Sequence, residues 1–260
     1  MPTYTIRWLD CGRIHSGRRE FWGGRITGQQ VEAVSIIWLI EGGAYPVVVD
    51  ASFDSVTDAG VGSQWPCIRT QEQEPAEQFK KAGVDPADVR AVLLTHLHWD
   101  HAGCMHIFPN AKKYVWRREL QYWAAPCRTQ AKPFEAPSHP SRHTALWAQR
   151  RITFEPVDED TEILPGILYF HMPGHTVGEC GVAVTAESGT YILAGDLLGR
   201  WSRPDWPAGW PELSTHGVTW QTYSLRMAAD SLLKVRRMAT SPRHILAQHD
   251  RRIFDVAVYR

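Results

Sequence analysis

Apolar residues in this chain come in short runs separated by polar or proline-containing stretches, a pattern that predicts strands alternating with amphipathic helices. Thr3 to Leu9, Val31 to Ile40 and Pro46 to Asp50 read as strands. Gln71 to Ala82 reads as a surface helix closed by Gly83, and Asp85-Pro86 as an N-cap with proline at the first helical position. Ala91 to Leu94 is a buried strand that runs straight into a histidine-rich stretch. Cys104 to Phe108 is predicted helical, Lys113 to Trp116 a strand, and Arg117 to Trp123 a helix. Ile152 to Phe154, Ile167 to Phe170 and Tyr191 to Ala194 are further short strands. From Thr219 to Met238, Trp220, Tyr223, Met227, Ala228, Leu232 and Val235 recur at helical spacing, which gives a long amphipathic helix. His244 to Ala247 is the last strand.

Composition narrows the class without naming a function. With 260 residues, 43% hydrophobic and 22% charged, the chain can bury a substantial core as an ordinary globular protein. A formal net charge of zero leaves no electrostatic footprint for nucleic acid or an anionic membrane, so neither is expected as a partner. Apolar runs fall short of the about 18 to 20 residues that cross a bilayer. Met1 to Arg19 lacks the basic, apolar and small-residue order of a secretory leader. The 5 cysteines form no Cys-x-x-Cys pair, which fits a reducing compartment, and a cytoplasmic protein is expected. Residues 124–150 hold several prolines and the cluster Ser138-His139-Pro140-Ser141-Arg142-His143. They read as a lid or substrate-binding insertion within a single domain spanning 1–260.

The chemistry gathers where strands end. His96, His98, Asp100 and His101 fall within six positions directly after the Ala91 strand. If that segment stayed extended, His96, His98 and Asp100 would point to one side. Three later strands end similarly, at Gly174-His175, at Gly195-Asp196 and at Gln248-His249. A lone histidine or aspartate in such a place is ordinarily a surface or turn residue. The dense first cluster, repeated at later strand ends, points instead to metal binding. Neutral imidazole and carboxylate suit zinc, and also iron, manganese or cobalt.

His-x-His-x-Asp-His at His96 to His101, Pro-Gly-His-Thr at Pro173 to Thr176, Gly195-Asp196 and His249 together resemble the metallo-β-lactamase superfamily, from about Ser35 to Asp250. The resemblance implies an α/β fold, an αβ/βα four-layer sandwich of two mixed β-sheets flanked by helices. It implies that His96, His98 and His175 hold one metal, that Asp100, His101 and His249 hold a second, and that Asp196 is shared. Two divalent ions, zinc first, with manganese, iron and cobalt as alternatives, would then activate a bridging hydroxide. That nucleophile would attack a lactone, ester or amide carbonyl of a small molecule, Asp100 passing a proton to the leaving group. Asp50-Ala51-Ser52 stands where many members have Asp-Thr-Gly, which gives Asp50 the role of orienting the metal loop.

Within the superfamily, Asp rather than Cys at position 196 is unlike the true β-lactamase branch. Size and the His-x-His-x-Asp-His-Ala-Gly wording resemble the quorum-quenching N-acyl homoserine lactonases and the pyridoxolactonases. Those enzymes carry a tyrosine three residues after the shared aspartate, where this chain has Gly199, and Arg200 or Tyr223 is the expected substitute. The chain has 12 tryptophans, and Trp201 and Trp206 are candidates for an aromatic pocket wall, a homodimer contact being the alternative. A glyoxalase-type thioesterase, a phosphodiesterase and a mononuclear iron sulfur dioxygenase are the alternative activities on the same fold, and a non-catalytic metal-binding protein is a third class.

Overall fold

Strand β2 (Val31–Glu41) shows how the layers arise. Val34, Ile36, Trp38 and Ile40 enter one core while Ile37 and Leu39 enter another. The two-residue period of a strand makes that division, and a run apolar throughout must be covered on both faces. β3 (Val47–Val49) divides in the same way, Val47 and Val49 to one side and Val48 to the other. The computed structural model describes residues 3–16, 31–55, 66–124, 151–198 and 222–260.

Among the described residues the strands form two sheets. The first contains β1 (Thr5–Ser16), β2, β3, β4 (Cys67–Ile68), β5 (Ala91–Leu93), β6 (Lys112–Trp116) and β7 (Glu155–Val157), in the order β4-β1-β2-β3-β5-β6-β7. It is antiparallel from β4 to β3 and parallel from β3 to β7. The second contains β8 (Thr161–Leu164), β9 (Ile167–His171), β10 (Cys180–Ala186), β11 (Gly189–Leu193) and β12 (Ile245–Leu246), in the order β12-β11-β10-β9-β8. Only its β11–β12 pair is parallel. Both sheets are therefore mixed.

Trp38, Val49 and Leu93 of the first sheet meet Tyr169, Val182 and Leu193 of the second in one shared core. Each fully buried apolar side chain there contributes about 1.5–3 kcal/mol. Four α-helices are described: α1 (Pro75–Ala82), α2 (Trp99–Ala102), α3 (Arg117–Ala124) and α4 (Leu225–Met238). Phe79 of α1 and Trp123 of α3 cover the outer face of the first sheet against Val48, Val92 and Val115. Ala228, Leu232 and Val235 of α4 cover the second against Phe170, Ala183 and Ile192. The layers run helix, sheet, sheet, helix, which is the expected αβ/βα sandwich. No helix among the described residues is long and apolar enough to cross a membrane.

Several local expectations shift. The helix predicted over Gln71 to Ala82 is a 3-10 turn (Gln71–Gln73) followed by α1, because Glu74 precedes a proline and stays extended at ψ 132°. Gly83 closes α1 in the left-handed conformation, as its position predicted. β1 runs on to Ser16 through a bulge between Asp10 and Arg13. The strand expected at Ile152 to Phe154 lies at β7 instead, while Ile152 and Phe154 pack on the outer core from a loop. β8 and β10 went unpredicted; β10 contains Gly181 and two alanines, weak strand formers. Thr219, Trp220 and Gln221 of the expected long helix lie outside the described residues. After Thr222 to Ser224, α4 starts at Leu225, capped by Ser224, whose hydroxyl accepts from the Met227 amide at 3.3 Å. Residues 125–150, most of the expected insertion, lie outside the described residues, as do Gly199, Arg200, Trp201 and Trp206.

Candidate metal centre

Each strand that carries a predicted donor ends at the same end of the sandwich, and both sheets contribute. β5 stops at Leu93 and the chain then bends, so the expected alternation does not persist as far as Asp100. His98 is the N-cap residue of α2, and Asp100 and His101 leave from that single helical turn. From the second sheet, His175 follows β9, Asp196 sits in the turn after β11, and His249 follows β12. The site thus lies across the ends of two packed sheets, not along the edge of one.

The sheets are pinned together beside it. Tyr169 donates its hydroxyl to the Leu94 carbonyl at 2.7 Å, and the Cys180 amide donates to the Thr95 carbonyl at 2.7 Å. Gln248 accepts from the Trp38 indole at 2.8 Å and donates to the Ile36 carbonyl at 2.8 Å. His249 is therefore held against β2.

All seven predicted donors are buried and fall into two groups, His96, His98, His175 and Asp196 in the first and Asp100, His101 and His249 in the second. Within each group the ligand atoms lie within 4.8 Å of one another. His98 Nδ1 stands 2.8 Å from His96 Nε2 and 2.9 Å from His175 Nε2. Three imidazole nitrogens turned onto one point are the donor set a cation satisfies. Asp196 straddles the groups: Oδ2 is 3.5 Å from His175 Nε2, while Oδ1 is 3.2 Å from His249 Nε2 and 3.4 Å from His101 Nε2. Asp100 Oδ2 lies 3.5 Å from His249 Nε2 and 3.9 Å from His101 Nε2. His101 Nε2 and Asp196 Oδ1 are buried without a hydrogen bond among the described residues. Buried polar atoms are rarely left so, and a divalent ion between them fits both their chemistry and their placement.

The far side of each ring decides which nitrogen faces inward. His101 Nδ1 donates to Asp50 Oδ2 at 2.8 Å, and His249 Nδ1 donates to the Val34 carbonyl at 2.7 Å. Each Nε2 then turns a lone pair to the site. Asp50 also accepts from the Thr95 amide at 2.8 Å and from the Thr95 hydroxyl at 2.9 and 3.0 Å. Its backbone is left-handed, φ 59°, and Ser52 follows at φ 53°. That loop is clamped by Arg69, which donates to the carbonyls of Cys11, Asp54 and Phe53 at 2.8, 2.6 and 2.6 Å. Gly103 lies flush against it; a Cβ there would come within 2.4 Å of the Asp54 nitrogen.

Charge in the site is unevenly shared. Burial drives His96 well below the usual imidazole range, and its histidine neighbours push the same way. Burial raises the Asp100 carboxyl. Burial would raise Asp196 too, yet His249 and His101 outweigh it and hold that carboxyl well below its ordinary value. Burial opposes protonation of His101, but Asp196, Asp50 and Asp100 raise it well above the usual range. A cation competes with protons for these same nitrogens, so its binding is coupled to proton release.

Of the candidates for substrate contact, Tyr223 is described. It is 39% exposed, its amide donates to the His175 carbonyl at 3.0 Å, and its ring meets Tyr122 edge-on at 5.8 Å. Two further buried carboxylates, Glu119 and Glu179, escaped the sequence reading and join the ligand-bearing loops through backbone amides. Glu119 sits in the polar run Arg117-Arg118-Glu119, which reads as solvent-facing.

Residues 34–240 match the family model of the Metallo-beta-lactamase superfamily, and the chain belongs to that superfamily. An N-acyl homoserine lactonase from Bacillus sp. is 28% identical over 128 residues, a stretch that spans 49% of this chain and about half, 46%, of the relative. The structure of an N-acyl homoserine lactone hydrolase, with the product N-hexanoyl-L-homoserine bound at its catalytic metal centre, superposes with a TM-score of 0.73 at 19% identity. That superposition covers 98% of this chain and 96% of the other. AidC, a dizinc quorum-quenching lactonase, superposes with a TM-score of 0.70 at 15% identity over 96% of this chain and 89% of its own. At such identities the structural likeness is one of fold.

Proposed function

We propose that this chain is a hydrolase using two divalent metal ions, zinc first among them, to open a lactone, ester or amide carbonyl of a small molecule. The supporting observation is the convergence of seven donors from both sheets into two adjacent groups, with one oxygen of Asp196 turned to each. Lactonase relatives and a dizinc structural neighbour agree with that reading.

Metal ions bound there would supply an activated water at neutral pH and a Lewis acid for the carbonyl oxygen. His96, His98 and His175 would hold one, Asp100, His101 and His249 the other, with Asp196 between. Asp100 is assigned the proton transfer to the leaving oxygen. Tyr223, anchored by its amide to the carbonyl of His175, is assigned a contact to the substrate carbonyl, the place that the tyrosine missing at Gly199 would leave open.

Metal analysis combined with turnover on lactones, esters, amides and thioesters tests the reading. About two equivalents of zinc or manganese and hydrolysis of a lactone or ester are expected. One equivalent of iron without hydrolysis would replace it with the sulfur dioxygenase reading, and preference for thioesters with the glyoxalase type. On whichever substrate turns over, Tyr223→Phe is expected to raise KM about fivefold, the scale of one hydrogen bond, with metal content unchanged. Unchanged KM and kcat would remove Tyr223 from the pocket.

A further inference from the structure

Glu119 and Glu179 are fully buried, and both receive backbone N–H groups from segments that carry metal donors. Glu179 Oε2 accepts from the His175 amide at 3.1 Å, and its Oε1 accepts from the Asp196 amide at 3.0 Å. Glu119 Oε1 accepts from the Leu97 amide at 3.2 Å, between His96 and His98, and its Oε2 accepts from the Gly178 amide at 3.0 Å. The Trp123 indole, one turn along α3, donates to Glu119 Oε1 at 2.9 Å and fixes the carboxylate from behind. Gly178 lets the loop approach this closely, since a Cβ there would sit 2.5 Å from the Glu119 backbone nitrogen.

In each of the two carboxyls both oxygens accept, and so join N–H groups from different segments. Glutamine cannot do the same, because one of its ends presents N–H to N–H. Leu97, His175 and Asp196 account for the segments of all four donors in the first group. The histidines of the second group are held by other means, His101 by Asp50 and His249 by the Val34 carbonyl. We infer that Glu119 and Glu179 are positioning residues that act mainly on the geometry of the first metal position, Glu179 reaching the second only through the shared Asp196. This rests on the two-metal reading proposed above.

The test is zinc titration of chelator-stripped wild type, Glu179→Gln and Glu119→Gln against a competing chromophoric chelator, with thermal melts of the stripped proteins. Loss of a supporting contact behind metal ligands costs about 10–100-fold in affinity. One of the two zinc dissociation constants is therefore expected to weaken at least about tenfold in each variant, the other changing clearly less, with stripped-protein melting little changed. Unchanged constants in both variants overturn the inference. So does parallel weakening of both constants with a lowered melting temperature, which is what a merely structural role would give. If Glu179→Gln fails to fold, Glu119→Gln is read by the same outcomes, and failure of both to fold assigns the carboxylates to stability and overturns the inference. A wild type that binds one zinc ion removes the two-metal reading, and the variants are then judged on that single constant.

Discussion

Asp196→Ala is expected to lower turnover by about a hundred- to a thousandfold, at least the scale seen when one preorganised hydrogen-bond donor is removed from an active site, and to lower metal content while the fold is retained. The reason lies in its two oxygens, which face different donor groups, 3.5 Å from His175 Nε2 and 3.2 Å from His249 Nε2. Alanine removes the link between the groups and takes one candidate ligand oxygen from each. Its backbone amide keeps Glu179, so the turn after β11 has no cause to unfold. His98→Ala should behave alike, because His98 Nδ1 is the atom on which His96 and His175 converge. Metal analysis and turnover of the purified variants check both, and full metal with full activity in either would refute the ligand assignment.

Asp50→Asn is expected to weaken metal binding about 10–100-fold, mainly at the second group, with a matching loss of turnover. Asparagine fits the volume and tolerates the left-handed backbone at φ 59°, so the loop should survive. What changes is the tautomer. Asp50 accepts from Thr95 N, Thr95 Oγ1 and His101 Nδ1 together, and an amide cannot accept all three from the same two atoms. If its NH2 faces His101, Nδ1 becomes the acceptor and the proton moves to Nε2, the atom turned toward the site. Zinc titration checks this, and wild-type affinity at both positions would show that the Asp50 carboxylate does not set the ring.

Much of the candidate centre was legible because its donors sit at local strand ends. His96 to His101 lie within six residues of one another, directly after an apolar strand, and the later donors each follow an apolar run. Asp50 was legible by its place after Val47–Val49. Glu119 was not, since a glutamate after two arginines carries no local sign of burial; it becomes legible only when Gly178 comes to rest against α3. β10 and the start of α4 were missed for a related reason. Weak strand formers are held by β9 and β11 on either side, and the amides of Tyr223 and Ser224 are tied to the carbonyls of His175 and Gly174 instead of continuing a helix.

By itself, then, the sequence determined which side chains are the candidate metal donors, the alternation that buries β2 and β3 on both faces, and hence the layered class of fold. Tertiary structure alone decided which donors share a group, which nitrogen each histidine turns inward, and where the burial falls that disfavours protonation of His96. Those properties come from contacts between segments far apart in the chain. His249 takes its orientation from the Val34 carbonyl, 215 residues away, and no local pattern encodes a hydrogen bond of that span.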